Sequence, residues 1–226
     1  MTFSIVGKCE KTNMFGVAIS SSSIAVASRC PWVRSKVGAV TTQNITDPSL
    51  GKIMLDFLEK GFSAKETIDK ITNETKNINY RQLAIIDISG NTAGFSGSNI
   101  LGKHSISSSS NCIAAGNLLK IENVTNIMVD FFANNKELHL AERLIKSLEA
   151  GLDSGGEEGP VNSAGIKVAF ENSWPIVDLR VDWKENEPIK ELYKIWKNYE
   201  PQMNDYQSRA LNPSKAPSYG VPGDEF

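Results

Sequence analysis

Hydrophobic residues along the chain change their spacing several times, and each change marks an element. Short β-rich runs at residues 2–6, 16–20 and 38–43, parted by turn-forming stretches such as 10–13, predict that a strand layer begins at the amino-terminal end. The period then lengthens. Asp47-Pro48 supplies an N-cap and a proline at the first helical position, and Leu50, Ile53, Met54, Phe57 and Leu58 follow at helical spacing until Gly61. Ser63-Ala64-Lys65-Glu66 reads as a capping box that opens a second helix. Strands return at 82–88 and 92–95 through Ser89-Gly90-Asn91, and a run at 111–115 leads into Gly116-Asn117. Two helices are predicted by Val124, Ile127, Met128 and Phe131, and by Leu138, Ala141, Leu144, Ile145 and Leu148, the latter ended by Gly151. Strands at 163–170 and 176–182 precede a last helix carrying Ile189, Leu192, Tyr193 and Trp196 after Pro188.

The order is strands, two helices, strands, two helices, strands and a helix. Alternating single strands and helices would signal a parallel doubly wound sheet, so this order predicts an α+β fold with antiparallel sheets stacked between helical layers. One domain over residues 1–200 is expected. Residues 201–226 hold four prolines and no sustained period, which predicts an extended C-terminal arm anchored by Met203, Tyr206, Leu211 and Tyr219.

Composition narrows the chemistry. The chain has 226 residues, 24 Lys+Arg against 26 Asp+Glu, and a net charge of -2, which gives no footprint for nucleic acid or an anionic membrane. Cys9, Cys30 and Cys112 are too few and too scattered for a disulfide framework or a cysteine zinc site. No secretory leader and no membrane span reads out, so a soluble cytoplasmic protein is expected. With only His104 and His139, a three-histidine metal site is impossible and catalysis is expected to avoid histidine, metal and cofactor.

Thr2 fits that demand. Removal of Met1 would give it both a hydroxyl and an α-amine, whose reference pKa of about 7.7–8.0 lets the amine act as base for the hydroxyl. A threonine at position two is also common and often carries no role. The serine run from Ser20 to Ser23, with Ser20 and Ser22 as its candidates, the Ser28-Arg29-Cys30-Pro31-Trp32 stretch and the polar strand end Thr41-Thr42-Gln43, with Gln43 as its candidate, add polar groups that could converge with Thr2 at one edge. Arg29 could hold a substrate carboxylate by two parallel hydrogen bonds, or be solvated like Arg34. Cys30 reads as a substrate-site residue or, more commonly for its type, a buried inert thiol. Gly116 and Asn117 could offer a backbone and a side-chain amide to an oxyanion, or form an ordinary turn. Residues 155–160, Gly-Gly-Glu-Glu-Gly-Pro, lack the lysine of a phosphate loop; Glu157 could position a substrate amine or a cation, or face solvent with Glu158.

Several stretches together resemble one bacterial and archaeal family: residues 2–6, Arg29-Cys30-Pro31-Trp32 leading to residues 37–43, Arg81-Gln82-Leu83-Ala84, Ala115-Gly116-Asn117, Leu140-Ala141-Glu142-Arg143-Leu144 and residues 155–160. The family is the domain-of-unknown-function family 1028, placed with the N-terminal nucleophile (Ntn) hydrolases. The similarity runs from Thr2 to about Asp182, and PSYGVPGDE at 217–225 resembles the tail of one subgroup. This resemblance implies a four-layer αββα sandwich, a nucleophile and base both on Thr2, and an oxyanion hole at Asn117 and the Gly116 amide. It supplies no substrate.

The expected activity is hydrolysis of a C–N amide bond in a small molecule such as a ureide, cyclic imide or acylated amino acid, by a homo-oligomer (dimer or higher) whose arm wraps either its own surface or a neighbouring subunit. Two rivals stand beside it. One is an amidase acting on peptidoglycan fragments; the other is a non-catalytic ligand-binding or assembly protein that keeps Thr2 as a strand residue.

Overall fold

The computed structural model describes residues 2–222. Local sequence explains most element boundaries. Asp47 accepts from the Ser49 amide and hydroxyl at the start of α1 (Ser49–Glu59). The capping box is complete at α2 (Ala64–Glu74): the Ser63 hydroxyl takes the Glu66 amide while the Glu66 carboxylate takes the Ser63 amide. Asp87 closes the following hairpin by accepting from the amides of Ser89 and Asn91, and also takes the first amide of α2, at Ala64. One carboxylate thereby ties a turn to a helix end.

Two antiparallel sheets form the centre. The larger has the order β10-β9-β2-β1-β8-β7, built from β1 (Thr2–Lys8), β2 (Phe15–Ser21), β7 (Ser105–Ser109), β8 (Cys112–Asn117), β9 (Ser163–Ala169) and β10 (Pro175–Val181). The smaller has the order β3-β4-β5-β6, from β3 (Pro31–Arg34), β4 (Gly38–Asn44), β5 (Arg81–Asp87) and β6 (Thr92–Ser96). Helices α3 (Val124–Asn134), α4 (Leu140–Asp153) and α5 (Pro188–Tyr199) cover the outer face of the larger sheet, and α1 with α2 cover the smaller. The fold is the four-layer αββα sandwich.

Alternation along β1 assigns its two faces. Phe3 and Ile5 join the core under α3 and α4, whereas Val6 joins the apolar layer between the sheets with Val17, Ala39, Ala84, Ile86 and Ala115. Successive strand residues face opposite ways, so Thr2 and Ser4 share the inter-sheet face with Val6. Apolar at its middle, the gap between sheets becomes polar toward Thr2.

Three expectations change. β3 and β7 are strands that the hydrophobic pattern does not mark, one opening on Cys-Pro-Trp and the other serine-rich, and both lie at sheet edges where a half-buried strand needs little apolar sequence. α4 does not stop at Gly151 but runs on to Asp153. The glycine is there for packing: a Cβ would lie 2.7 Å from Met128 Cγ on α3. The C-terminal arm begins as helix rather than extended chain, with a 3-10 turn at Glu200–Gln202 and α6 (Met203–Leu211). Met203 is buried, and Tyr206 stacks on Tyr199 with ring centroids 5.8 Å apart. Of the tail stretch at 217–225, residues 223–225 lie outside the described residues.

Candidate active site

Thr2 opens β1 in the middle of the larger sheet, with Asn117 of β8 directly across from it on one side and the end of β2 on the other. Its residue is 6% exposed. The Thr2 hydroxyl lies 3.2 Å from Ser21 Oγ, Ser21 Oγ lies 2.8 Å from Ser23 Oγ, and Arg29 Nη2 donates to Ser23 Oγ at 2.7 Å. A line of hydroxyls therefore runs from Thr2 to a guanidinium. Arg29 also spends Nη1 on the carbonyls of Ile24 and Ala25, which fixes its plane and leaves Nε and one Nη2 hydrogen of its donors.

Behind Thr2 the sheets meet through a buried polar network. Ser4 donates to Gln43 Oε1 at 2.7 Å, and Gln43 Nε2 donates to Gln82 Oε1 at 2.8 Å. Gln82 Nε2 in turn donates to the Gly116 carbonyl at 3.0 Å and to Ser96 Oγ at 3.1 Å, while Asn117 Nδ2 donates to Gln82 Oε1 at 3.1 Å. Because a carbonyl can only accept, the Gln82–Gly116 bond fixes which end of Gln82 is nitrogen, and the rest of the network follows. Asn117 thus turns its nitrogen toward Gln82. Its Oδ1 is buried with no hydrogen-bond partner among the described residues.

The chain leaves β8 through Leu118, in the left-handed region at φ 49°, and Leu119 then pairs with Glu157 as an isolated bridge. Backbone bonds from Lys120 to Gly156 and from Glu158 to Leu118 complete this small ladder. It carries Glu157 to the same end of the sheet. Glu157 is 4% exposed, and burial pushes its carboxyl up to about 8, opposed by the charge of the amino terminus and by the hydroxyl and amide of Ser22. Neither carboxylate oxygen completes a hydrogen bond of ordinary geometry among the described residues.

Residues 2–192 match the family of unknown function DUF1028. The chain belongs to this family. A solved DUF1028 structure from Silicibacter pomeroyi shares 26% identity, covers 91% of this chain and 89% of that one, and superposes with a TM-score of 0.84. Anbu (ancestral beta-subunit) from Yersinia bercovieri has 11% identity over 90% of this chain and 97% of that one, with a TM-score of 0.36. Anbu from Hyphomicrobium sp. strain MC1 has 8% identity over 97% and 100%, with a TM-score of 0.38. Superpositions that loose bear on neither fold nor function. No curated protein matches the chain.

Within this DUF1028 chain the residues singled out by sequence fall into groups. Thr2, Asn117, Gln43, Ser22 and Glu157 gather at one end of the sandwich, and Arg29 reaches Thr2 through Ser23 and Ser21. Ser20 does not join them: it faces the opposite side of β2 and donates to the Ser163 carbonyl. Cys30 is enclosed with Ile19 and Val26, 3.5 Å from Thr46 Oγ1, and burial raises its pKa, which disfavours the thiolate. Gly116 sits inside β8 with strands paired on both sides, where a Cβ would come within 2.7 Å of Leu119 Cδ2. As placed, Asn117 presents an acceptor and not the oxyanion donor that the sequence suggested. Glu158, unlike Glu157, is exposed.

Ser21, Ser23 and Gln82 complete the site without having been singled out. Gln82 lay within a family-like stretch, and its position next to an apolar strand run, where a buried amide needs partners, was the available signal. Among the described residues no group of three or more His, Cys, Asp or Glu side chains could hold a metal ion, and no helix is long and apolar enough to cross a membrane. Removal of Met1 concerns a residue outside the described ones.

Proposed function

We propose that this chain hydrolyses a C–N amide bond in a small molecule, with Thr2 as nucleophile once its α-amine is released from Met1. The observation that carries this is the placement of Thr2. It opens a central strand on the inter-sheet face, where its hydroxyl meets Ser21 at the head of the Ser23–Arg29 line and Asn117 stands across from it. A rigid strand of this kind holds a nucleophile better than a fraying end. The amine takes the hydroxyl proton as Thr2 Oγ bonds to the carbonyl carbon, then passes that proton to the leaving nitrogen as the C–N bond breaks. Water then attacks the acyl-enzyme carbonyl as it loses a proton to the same amine, and the amine returns that proton to Thr2 Oγ as the ester bond breaks and the carboxylic acid leaves. The remaining donors of Arg29 suit a substrate carboxylate.

Intact-mass measurement on the purified protein and a panel of amides and ureides, scored by ammonia or amine release, test the reading together. The expected result is a mass lacking Met1, and a Thr2→Ala variant that folds normally while turnover of a substrate falls by at least about a thousandfold. Retention of Met1, or undiminished turnover by Thr2→Ala, overturns it.

A further inference from the structure

Two buried acceptors at the start of β1 have no use in the mechanism as stated. Asn117 Oδ1 is fully enclosed, on the same sheet face as the Thr2 side chain across from it, and its orientation is dictated by the Gln82 network. The Glu157 carboxyl is enclosed beside Ser22, one residue from the Ser21 hydroxyl that touches Thr2. Asn117 Oδ1 has no donor among the described residues and the Glu157 oxygens meet Ser22 only at poor geometry, and a buried acceptor left short of a donor is costly, so two such groups at one strand end point to a donor that serves both. An ammonium is the donor with protons enough for both.

We propose that Glu157 and Asn117 Oδ1 together hold the released α-amine of Thr2, with Glu157 storing the proton that the amine must shed before it can act as base. The proposal rests on Thr2 being an N-terminal nucleophile. At rest the pair shares one proton, either as ammonium beside carboxylate or as amine beside carboxylic acid. Moving that proton from nitrogen to the carboxylate oxygen exposes the amine lone pair without releasing a proton to solvent. The amine then accepts the Thr2 hydroxyl proton, and Glu157 keeps its own until the product has left.

Burial is the largest influence on Glu157 and holds its carboxyl up, so a positive charge brought beside it by the released Thr2 amine is what would favour its ionised form. Ser22 contributes only neutral groups, and the charged neighbours on the two ladder segments, Lys120 and Glu158, are exposed. Asn117 adds direction without charge.

The test measures the α-amine itself and needs no substrate. Protein shown by intact mass to begin at Thr2 is acylated with limiting acetic anhydride across a pH series, and labelling of the terminal peptide gives the amine midpoint. Glu157→Gln removes the carboxylate that stabilises the ammonium, so its midpoint is expected to fall by about one pH unit or more, with Glu157→Asp lying between the two. An unchanged midpoint in Glu157→Gln overturns the proposal. If that variant does not fold, the wild-type protein decides: blocking the amine by acetylation should raise the pKa of the Glu157 13C-carboxyl resonance, and an unmoved titration overturns the proposal. Retention of Met1 overturns the Thr2 reading and this inference with it; a released Thr2 without a shift overturns the inference alone.

Discussion

Gln82 carries the heaviest load of any polar side chain between the sheets. It accepts from Gln43 and Asn117 and donates to the Gly116 carbonyl and Ser96, joining β4, β5 and β6 of one sheet to β8 of the other. Replacing it by leucine keeps the volume but strands the Gln43 and Asn117 amides and a carbonyl among buried neighbours. Each orphaned group costs about 1–3 kcal/mol, so Gln82→Leu is expected to lower the unfolding free energy by on the order of 3 kcal/mol in urea titration. A loss below about 1 kcal/mol would show that the network adds little to the packing around it. At this scale the sequence was legible in kind and blind in parity. The serine run from Ser20 to Ser23 announces hydroxyls near the strand end, but only pairing with β1 decides that Ser21, and not Ser20, faces Thr2.

His139 shows how an element can carry a pH dependence. It caps α4 by accepting from the Ala141 amide through Nδ1 at 3.2 Å, and its ring stacks on Trp196 of α5 with centroids 4.9 Å apart. Accepting at Nδ1 requires the neutral ring, and burial lowers the pKa below the ordinary 6.5, against opposing pulls from Glu200 and Glu142. The sign follows. Above 6.5 the ring is neutral in both states; as pH falls below that value the unfolded chain takes up a proton and the folded one resists, so stability declines with falling pH until the folded value is reached. His139→Asn keeps a capping acceptor and removes the titration, so its unfolding free energy should vary less with pH across that window when both proteins are followed by urea denaturation. Equal slopes would show that His139 does not carry the effect. The helices α1, α2 and α5 were readable because caps, prolines and a 3.6 period agree there. β3 and β7 escaped because an edge strand is held by one neighbour and needs no apolar run to pay for its burial.

At the scale of the molecule, the layer order was legible because long periodic segments and short alternating ones alternate in blocks, whereas the site was only half legible because its members come from β1, β2, β4, β5, β8 and the 155–160 loop. The same view sets how much chain the sandwich needs. The family match ends at residue 192, inside α5 and before Trp196, the largest of the fully buried side chains. Ile189, Leu192 and Trp196 are together enclosed against the helix layer and β9–β10, and losing side chains of this size from a core costs about 2–5 kcal/mol each. Residues 213–222 are almost all exposed, and the contacts that hold them include Arg209 donating to the carbonyls of Pro217 and Ser218 and its guanidinium 3.8 Å over the Tyr219 ring. A chain ending at Asn212 is therefore expected to unfold within about 1 kcal/mol of the full chain, since surface contacts of this kind contribute little. A chain ending at Glu187 gives up three core anchors against a total stability of about 5–15 kcal/mol, and should show no cooperative thermal transition. Cooperative unfolding of the shorter chain near the full-length midpoint would mean that α5 covers the sandwich without holding it together.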